Sequence, residues 1–253
     1  MTDPASLAAR LAAAGCVAPE EEAAELLAAA PDAETLERWV ARRSSGVPLP
    51  WLTGRTTFAG LVLHIDPGVY VPRPQTEELA RRAAGHLPPK GRAVDLCTGS
   101  GAVAAALRAA APEGSVVGVD LDEAALRCAA ANGVPTVRAD VADALPFPHR
   151  CVDVVTAVAP YVPTDALALL PRDVVTHEPR RALDGGPEGL TLVHRVVHHA
   201  AWLLRPGGWL LLELGGDQSA AVSAGLRTLG FSSVAPWHDD EGDGRGVEAH
   251  WAR

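Results

Sequence analysis

From residue 92 onward, short apolar runs alternate with stretches of helical period. The runs at 93–96, 115–119, 134–138, 151–157 and 209–214 predict strands, and the stretches between them at 101–111, 122–131 and 188–203 predict helices. A further helix runs from an Asp217 cap to about Leu229, and 231–236 and 247–252 predict a terminal antiparallel pair. Strands that alternate with helices in this way predict an α/β fold, a mostly parallel sheet covered on both faces. In such sheets ligands sit at the carboxyl ends of the strands, near the point where the strand order reverses.

The first 45 residues have a different pattern. Three helices are predicted: one opened by Asp3 and Pro4 with Leu7, Leu11 and Ala14 on one face, one over Pro19–Ala30, and one over Ala33–Arg43 with Leu36, Trp39 and Val40 aligned. A punctuated linker follows at 46–54. Leu61, Leu63 and Ile65 then alternate with polar or outward positions, which predicts a hairpin. After the hairpin, Pro72 and Pro74 flank Arg73 in a stiff loop just before a helix begun by Gln75 or Thr76. The expected organisation is a helical recognition domain (1–54), a hairpin and proline loop (55–84), and a catalytic domain (85–253). Arg73 reads either as a cofactor or substrate contact or as a salt bridge at the domain junction.

Composition narrows the function. The chain has 253 residues, 48% of them hydrophobic, and a net charge of −9 that argues against direct nucleic-acid binding. Cys16, Cys97, Cys128 and Cys151 show no C-x-x-C spacing, so free thiols in a cytoplasmic protein are expected rather than a zinc site. The N-terminus lacks the basic and apolar regions of a signal peptide, and no run reaches membrane-spanning length. His194 and His198 are four apart on a helix, but no acid completes a metal motif, and no metal is assigned.

The chemistry concentrates in Asp95-Leu96-Cys97-Thr98-Gly99-Ser100-Gly101, where a strand passes through a small-residue turn into an alanine-rich helix. Gly99 and Gly101 allow positive φ, and their amides are expected to face a ligand at the helix start. A second strand ends at Asp120, beside Leu121, and suits the ribose hydroxyls of an adenosine cofactor. The loop also reads as a G-x-G-x-x-A dinucleotide fingerprint. Asp95 separates the two, because an acid opposes a diphosphate but helps hold the cationic methionine end of S-adenosylmethionine. Asp140-Val141 ends the third strand and is a candidate adenine contact, with a helix cap as the plainer alternative. The fourth strand runs into Val158-Ala159-Pro160-Tyr161, where proline pushes the residue before it to extended geometry and makes the carbonyls of Val158 and Ala159 candidates to face the cleft.

These motifs resemble those of the HemK/PrmC-type protein-glutamine N5-methyltransferases over nearly the whole chain. The linker Gly46-x-Pro48-Leu49-x-Trp51-x-x-Gly54, the loop Pro67-Gly68-Val69 to Pro72-Arg73-Pro74-x-Thr76-Glu77, and the block Glu178-Pro179 to Leu183-Asp184-Gly185-Gly186-x-x-Gly189-Leu190 carry the likeness, with the 95–101 loop. The resemblance implies a class I S-adenosylmethionine-dependent methyltransferase fold with a small N-terminal helical domain. It implies that Asp95, Cys97, Thr98, Gly99, Ser100, Gly101, Asp120, Leu121, Asp140, Val141 and Val158 bind the cofactor, which leaves as S-adenosylhomocysteine. It places the catalytic residues at Val158, Ala159, Pro160 and Tyr161, with Arg73, Pro160 and Tyr161 on the substrate, a glutamine of a protein partner. The family's Asn-Pro-Pro-Tyr reads Val-Ala-Pro-Tyr here, so the Asn side-chain acceptor is missing while the Ala159 carbonyl remains. His177 and Arg73 are candidates to compensate. Two alternatives follow: a small-molecule acceptor in a more apolar pocket, or a cofactor-binding module without catalysis.

Overall fold

The computed structural model describes residues 3–253, apart from the side chain of Arg172. Met1 and Thr2, part of the stretch read as lacking a signal sequence, lie outside the described residues. Helices α1 (Pro4–Ala13), α2 (Pro19–Ala29) and α3 (Ala33–Ser44) pack around Leu7, Leu11, Leu26, Leu36 and Val40. Asp3 caps α1 as expected, its carboxylate accepting from the amides of Ala5 and Ser6. The linker is more ordered than its prolines suggest. Leu49–Thr53 forms a short helix, α4, with Pro50 in its first turn and Gly54 closing it in the left-handed region at φ 74°. Strands β1 (Arg55–Phe58) and β2 (Leu61–His64) make the hairpin, burying Phe58, Leu63 and Ile65 and leaving Val62 outside.

Helix α5 (Thr76–His86) leads into β3 (Arg92–Leu96), α6 (Ala102–Ala110), β4 (Ser115–Asp120), α7 (Glu123–Ala131), β5 (Thr136–Arg138) and β6 (Val152–Ala157). Helices α8 (Arg172–His177) and α9 (Thr191–Leu203), then β7 (Leu204–Glu213), α10 (Gln218–Leu229), β8 (Phe231–His238) and β9 (Gly244–Trp251) complete the chain. The sheet order is β5-β4-β3-β6-β7-β9-β8, with the first five strands parallel and β9 antiparallel to both neighbours. Strand β7 begins five residues before its expected start, because Leu204 pairs with Val152 ahead of a register shift around Pro206-Gly207-Gly208. Asp217 stands at the start of α10 without capping it through its side chain. Gln218, the first residue of the helix, reaches back instead, its Oε1 accepting from the Gly215 amide ahead of α10.

The order reverses between β3 and β6, so a crevice opens above their carboxyl ends. One face of the sheet packs on α9 and α10, the other on α5 and α6. No helix among the described residues is long and apolar enough to cross a membrane.

Candidate active site

Above the crevice lies a cavity of about 990 Å³, at the upper end of the ~300–1,000 Å³ typical of ligand pockets. The helical N-terminal segment contributes Cys16, Val17 and Arg43 to its far wall. Asp95, Cys97, Thr98, Gly99, Ser100, Asp120, Leu121, Asp140, Val141, Val158, Ala159, Pro160, Tyr161 and Arg73 all line it. Gly101 does not. A Cβ there would lie 2.9 Å from that of Ala129, so this glycine serves helix packing at φ 78°.

The expectation that the loop amides face a ligand is overturned. The Thr98 amide donates to the Val119 carbonyl, Gly99 to Asp120 Oδ2 at 2.9 Å, and Gly101 to the Thr98 carbonyl. The first two donors hold the loop against β4 and the third closes a turn within the loop, so none of the three is free to cradle a diphosphate. The loop presents carboxylates where a dinucleotide site presents amides. Gly99 still matters, because its φ is 55° and the space a Cβ would fill is open. Cys97 takes the same left-handed region at φ 57°, a conformation costly for a residue with a Cβ.

Asp95 is buried at 2% exposure, with Oδ2 accepting from the Thr98 hydroxyl at 2.6 Å and Oδ1 from that of Thr156 at 2.7 Å. Burial pushes its pKa up to about 6 against the pull of both hydroxyls. Gly118 makes this possible, since a Cβ there would lie 2.8 Å from Thr98 Cγ2 and Oγ1. Asp120 accepts from the amides of Gly99 and Asp122, both at 2.9 Å, and burial raises its pKa too. Asp140 accepts from the Ala142 amide at 2.8 Å and faces the cavity; it closes a turn rather than capping a helix, because among the described residues no helix follows β5 before β6. Leu121 is 51% exposed there, an apolar surface beside the Asp120 carboxylate.

The segment 158–161 continues β6 between the two cores. Val158 packs on the α5–α6 side and Ala159 on the α9–α10 side, which pins the backbone between them. The block at 183–190 braces the segment from behind: Val162 donates to the Leu183 carbonyl, Gly185 donates back to that of Val162, and Gly185 comes close under the Pro160 carbonyl. Gln218 Nε2 donates to the Tyr161 carbonyl at 2.8 Å. The Tyr161 hydroxyl donates to Glu213 Oε1 at 3.1 Å, and burial drives its pKa upward.

Arg73 forms the salt bridge of its second reading and also borders the cavity. It lines the cavity, and its Nη2 donates to Glu178 Oε1 at 2.5 Å while the guanidinium lies 5.0 Å from the Tyr70 ring centre. Burial raises the pKa of Glu178 and takes that of Tyr70 up to about 12. His177 does not compensate for the missing Asn. It packs edge-on to Trp51, with Nε2 buried beside Gly46, away from the 158–161 segment. Sequence reasoning missed Tyr70, Thr156 and Glu213. Of these, Glu213 carried a visible signal as an acid at the carboxyl end of a parallel strand.

Comparison with known proteins agrees with this geometry. A methyltransferase domain family matches residues 93–175. A T. thermophilus 16S rRNA N2 methyltransferase, solved with AdoMet and guanosine, superimposes with a TM-score of 0.54 at 21% identity, over 79% of this chain and 44% of that one. This likeness places the chain in the same α/β methyltransferase fold. A 4-amino-L-phenylalanine/4-methylamino-L-phenylalanine methyltransferase of Streptomyces pristinaespiralis is 38% identical, over 78% of this chain and 71% of its own. A release factor glutamine methyltransferase of Mycolicibacterium smegmatis is 40% identical, over 95% of this chain and 94% of its own. Similar relatives of that name occur in Mycobacterium leprae and Moorella thermoacetica. The chain belongs to the release factor glutamine methyltransferase family, a family of S-adenosylmethionine-dependent enzymes.

Proposed function

We propose that this chain methylates the side-chain amide of a glutamine in a protein of the release-factor type, drawing the methyl group from S-adenosylmethionine. The observation that carries the reading is the convergence, on one cavity, of three strand-end carboxylates and a rigid 158–161 segment. The cofactor fits this donor set: Asp95 and the 97–100 turn face its cationic methionine end, Asp120 its ribose, and Leu121, Asp140 and Val141 its adenine. The cofactor supplies an electrophilic methyl group on sulfur. The chain's own work is to place the acceptor nitrogen in line with it, and an amide nitrogen is a weak nucleophile that depends on such placement. The carbonyl of Ala159 accepts one amide hydrogen and so turns the lone pair toward the methyl group, without metal or covalent intermediate. Residues 1–54 form the recognition module that closes the far wall, and Arg73, Pro160 and Tyr161 border the incoming side chain.

One observation favours a second reading. The Val158 side chain offers no acceptor, and the family likeness extends to an enzyme named for a small aromatic amine. An amine on an aromatic ring needs less polar orientation than an amide, so a small arylamine is the competing acceptor. Labelled S-adenosylmethionine with a release factor in one reaction and 4-aminophenylalanine in another, followed by mass spectrometry, separates the two. Label on a glutamine amide supports the first reading. Label only on the free amino acid replaces it with the second.

A further inference from the structure

Methyl transfer to a nitrogen that carries hydrogen leaves one proton too many, and the segment 158–161 contains no base. Glu213 lies directly behind it. This carboxylate is 3% exposed, and the hydroxyl of Tyr161, a residue that lines the cavity, donates to its Oε1 at 3.1 Å. Among the described residues no hydrogen-bond donor reaches its Oε2. Thr76 at the start of α5, Tyr70 and Arg73 ahead of it, and Arg245 in β9 face the same carboxylate. Both cations are engaged elsewhere: Arg73 pairs with Glu178 at 2.5 Å, and Arg245 with Asp239 at 2.5 Å. Glu213 therefore stands as a buried acid without an ion-pair partner, joined to the acceptor side of the cavity through one phenol.

We infer that Tyr161 and Glu213 form the proton exit of the methyl-transfer step, with Tyr161 touching the acceptor and Glu213 acting through it. This rests on the methyltransferase reading above and extends it to the fate of the proton. As the N–CH₃ bond forms, the S–CH₃ bond breaks and its electron pair stays on sulfur. The N–H bond breaks, its proton passes to Tyr161 Oη, and the phenol passes its own to Glu213 Oε1. The acid returns that proton to solvent after product release. Charge balances, because the positive charge that leaves sulfur is the proton that neutralises Glu213.

Glu213→Gln keeps an oxygen to accept from the Tyr161 hydroxyl but cannot take up the proton, so a purely structural role survives it. The enzyme with its cofactor and the acceptor it methylates is assayed from pH 5.5 to 9. The wild type is expected to lose kcat toward acid along a one-proton limb. Glu213→Gln is expected to lower kcat by ~10²-fold, the scale of a general base, to lose that limb, and to leave the KM for the acceptor and the cofactor affinity unchanged. Tyr161→Phe shows the same drop, and the double variant shows no further one. A Glu213→Gln enzyme that keeps wild-type kcat and the acid limb overturns the inference. A second readout needs no turnover: the ¹³C-carboxyl signal of Glu213, assigned by loss in Glu213→Gln, should be that of a carboxylate at pH 7 and titrate higher in Tyr161→Phe. A protonated Glu213 at pH 7 overturns the inference, whereas a wild type that leaves the release factor unmethylated overturns only the glutamine reading.

Discussion

Asp95 is where folding and binding pull in opposite directions, and Asp95→Asn separates them. In the fold its pKa stands at about 6 against an ordinary value of 3.8, a rise of 6 − 3.8 = 2.2. A rise in an acid's pKa means that the native state favours the protonated form. The native state is therefore free of this penalty below the ordinary value and bears all of it above about 6. At ~1.4 kcal/mol per pKa unit, the ionised carboxylate costs the fold about 3 kcal/mol at pH 8. Asparagine is neutral, and the Thr98 and Thr156 hydroxyls can rotate to serve its oxygen and its NH₂. Asp95→Asn should raise stability by up to ~3 kcal/mol at pH 8, which for a chain of this size is roughly 6–12 °C in Tm. The gain should fade as the pH approaches 4. Cofactor affinity should move the other way, because the charge opposite the methionine ammonium is gone. Scanning calorimetry from pH 4 to 8 and titration calorimetry with S-adenosylmethionine measure both. An unchanged or lower Tm at pH 8 would show that the buried carboxylate carries no such cost, and the reasoning would fail.

Three other outcomes test separate parts of the site. Asp120→Ala removes the acceptor of two backbone amides and the proposed ribose partner, and should weaken S-adenosylmethionine binding by ~10² or more at ~1.5–3 kcal/mol per charged hydrogen bond; equal affinity in calorimetry would remove Asp120 from the proposed cofactor site. Arg73→Ala leaves Glu178, whose side chain is 1% exposed, without its cation, and should cost ~3–5 kcal/mol in denaturant unfolding. Arg73→Met with Glu178→Gln should recover most of that, and a double variant no more stable than Arg73→Ala would show that the pair is not what holds the proline loop. Val158→Asn restores an acceptor beside the Ala159 carbonyl and should raise glutamine-amide turnover by ~10²-fold, the scale of one positioned polar group; no gain in rate, with the variant folded, would place the orienting group elsewhere.

The parts of this site legible in the sequence are those in which residue type and strand position coincide. Asp95, Asp120 and Asp140 each end or follow a predicted parallel strand, and the strand order turns that sequence fact into a shared cavity. Glu213 was equally legible by that rule. Thr156 was not, because β6 is buried along its whole length, and nothing local marks one hydroxyl as the partner of an acid 61 residues away. Gly118 reads as an ordinary strand glycine until Thr98 is seen lying against it. The direction of the loop amides was illegible for a related reason. A glycine loop before a helix suggests free donors, yet whether they point at ligand or at β4 depends on the neighbouring strand. Arg73 is instructive because its salt-bridge reading holds through a partner, Glu178, that is 105 residues away and that no local pattern marks.

The two halves of the cavity are built on different principles, and this bears on how Val158 is tolerated. The half proposed to hold the cofactor is made of strand ends and a loop whose Thr98 and Gly99 amides are tied to β4, so a change there disturbs the sheet itself. The acceptor half hangs on contacts distant in sequence: the 183–190 block behind residues 158–162, Gln218 under the Tyr161 carbonyl, and Glu178 across from Arg73. The first two of those contacts grip backbone atoms of the acceptor segment, and none of the three uses the side chain at 158. Replacing the Asn of that position by Val therefore removes one polar acceptor while leaving the Ala159 carbonyl, the Tyr161 ring and the cofactor wall where they were. A fold arranged this way can change the polarity of its acceptor pocket without rebuilding the methyl-donor site. The same scaffold can then serve relatives named for a glutamine amide and for an aromatic amine.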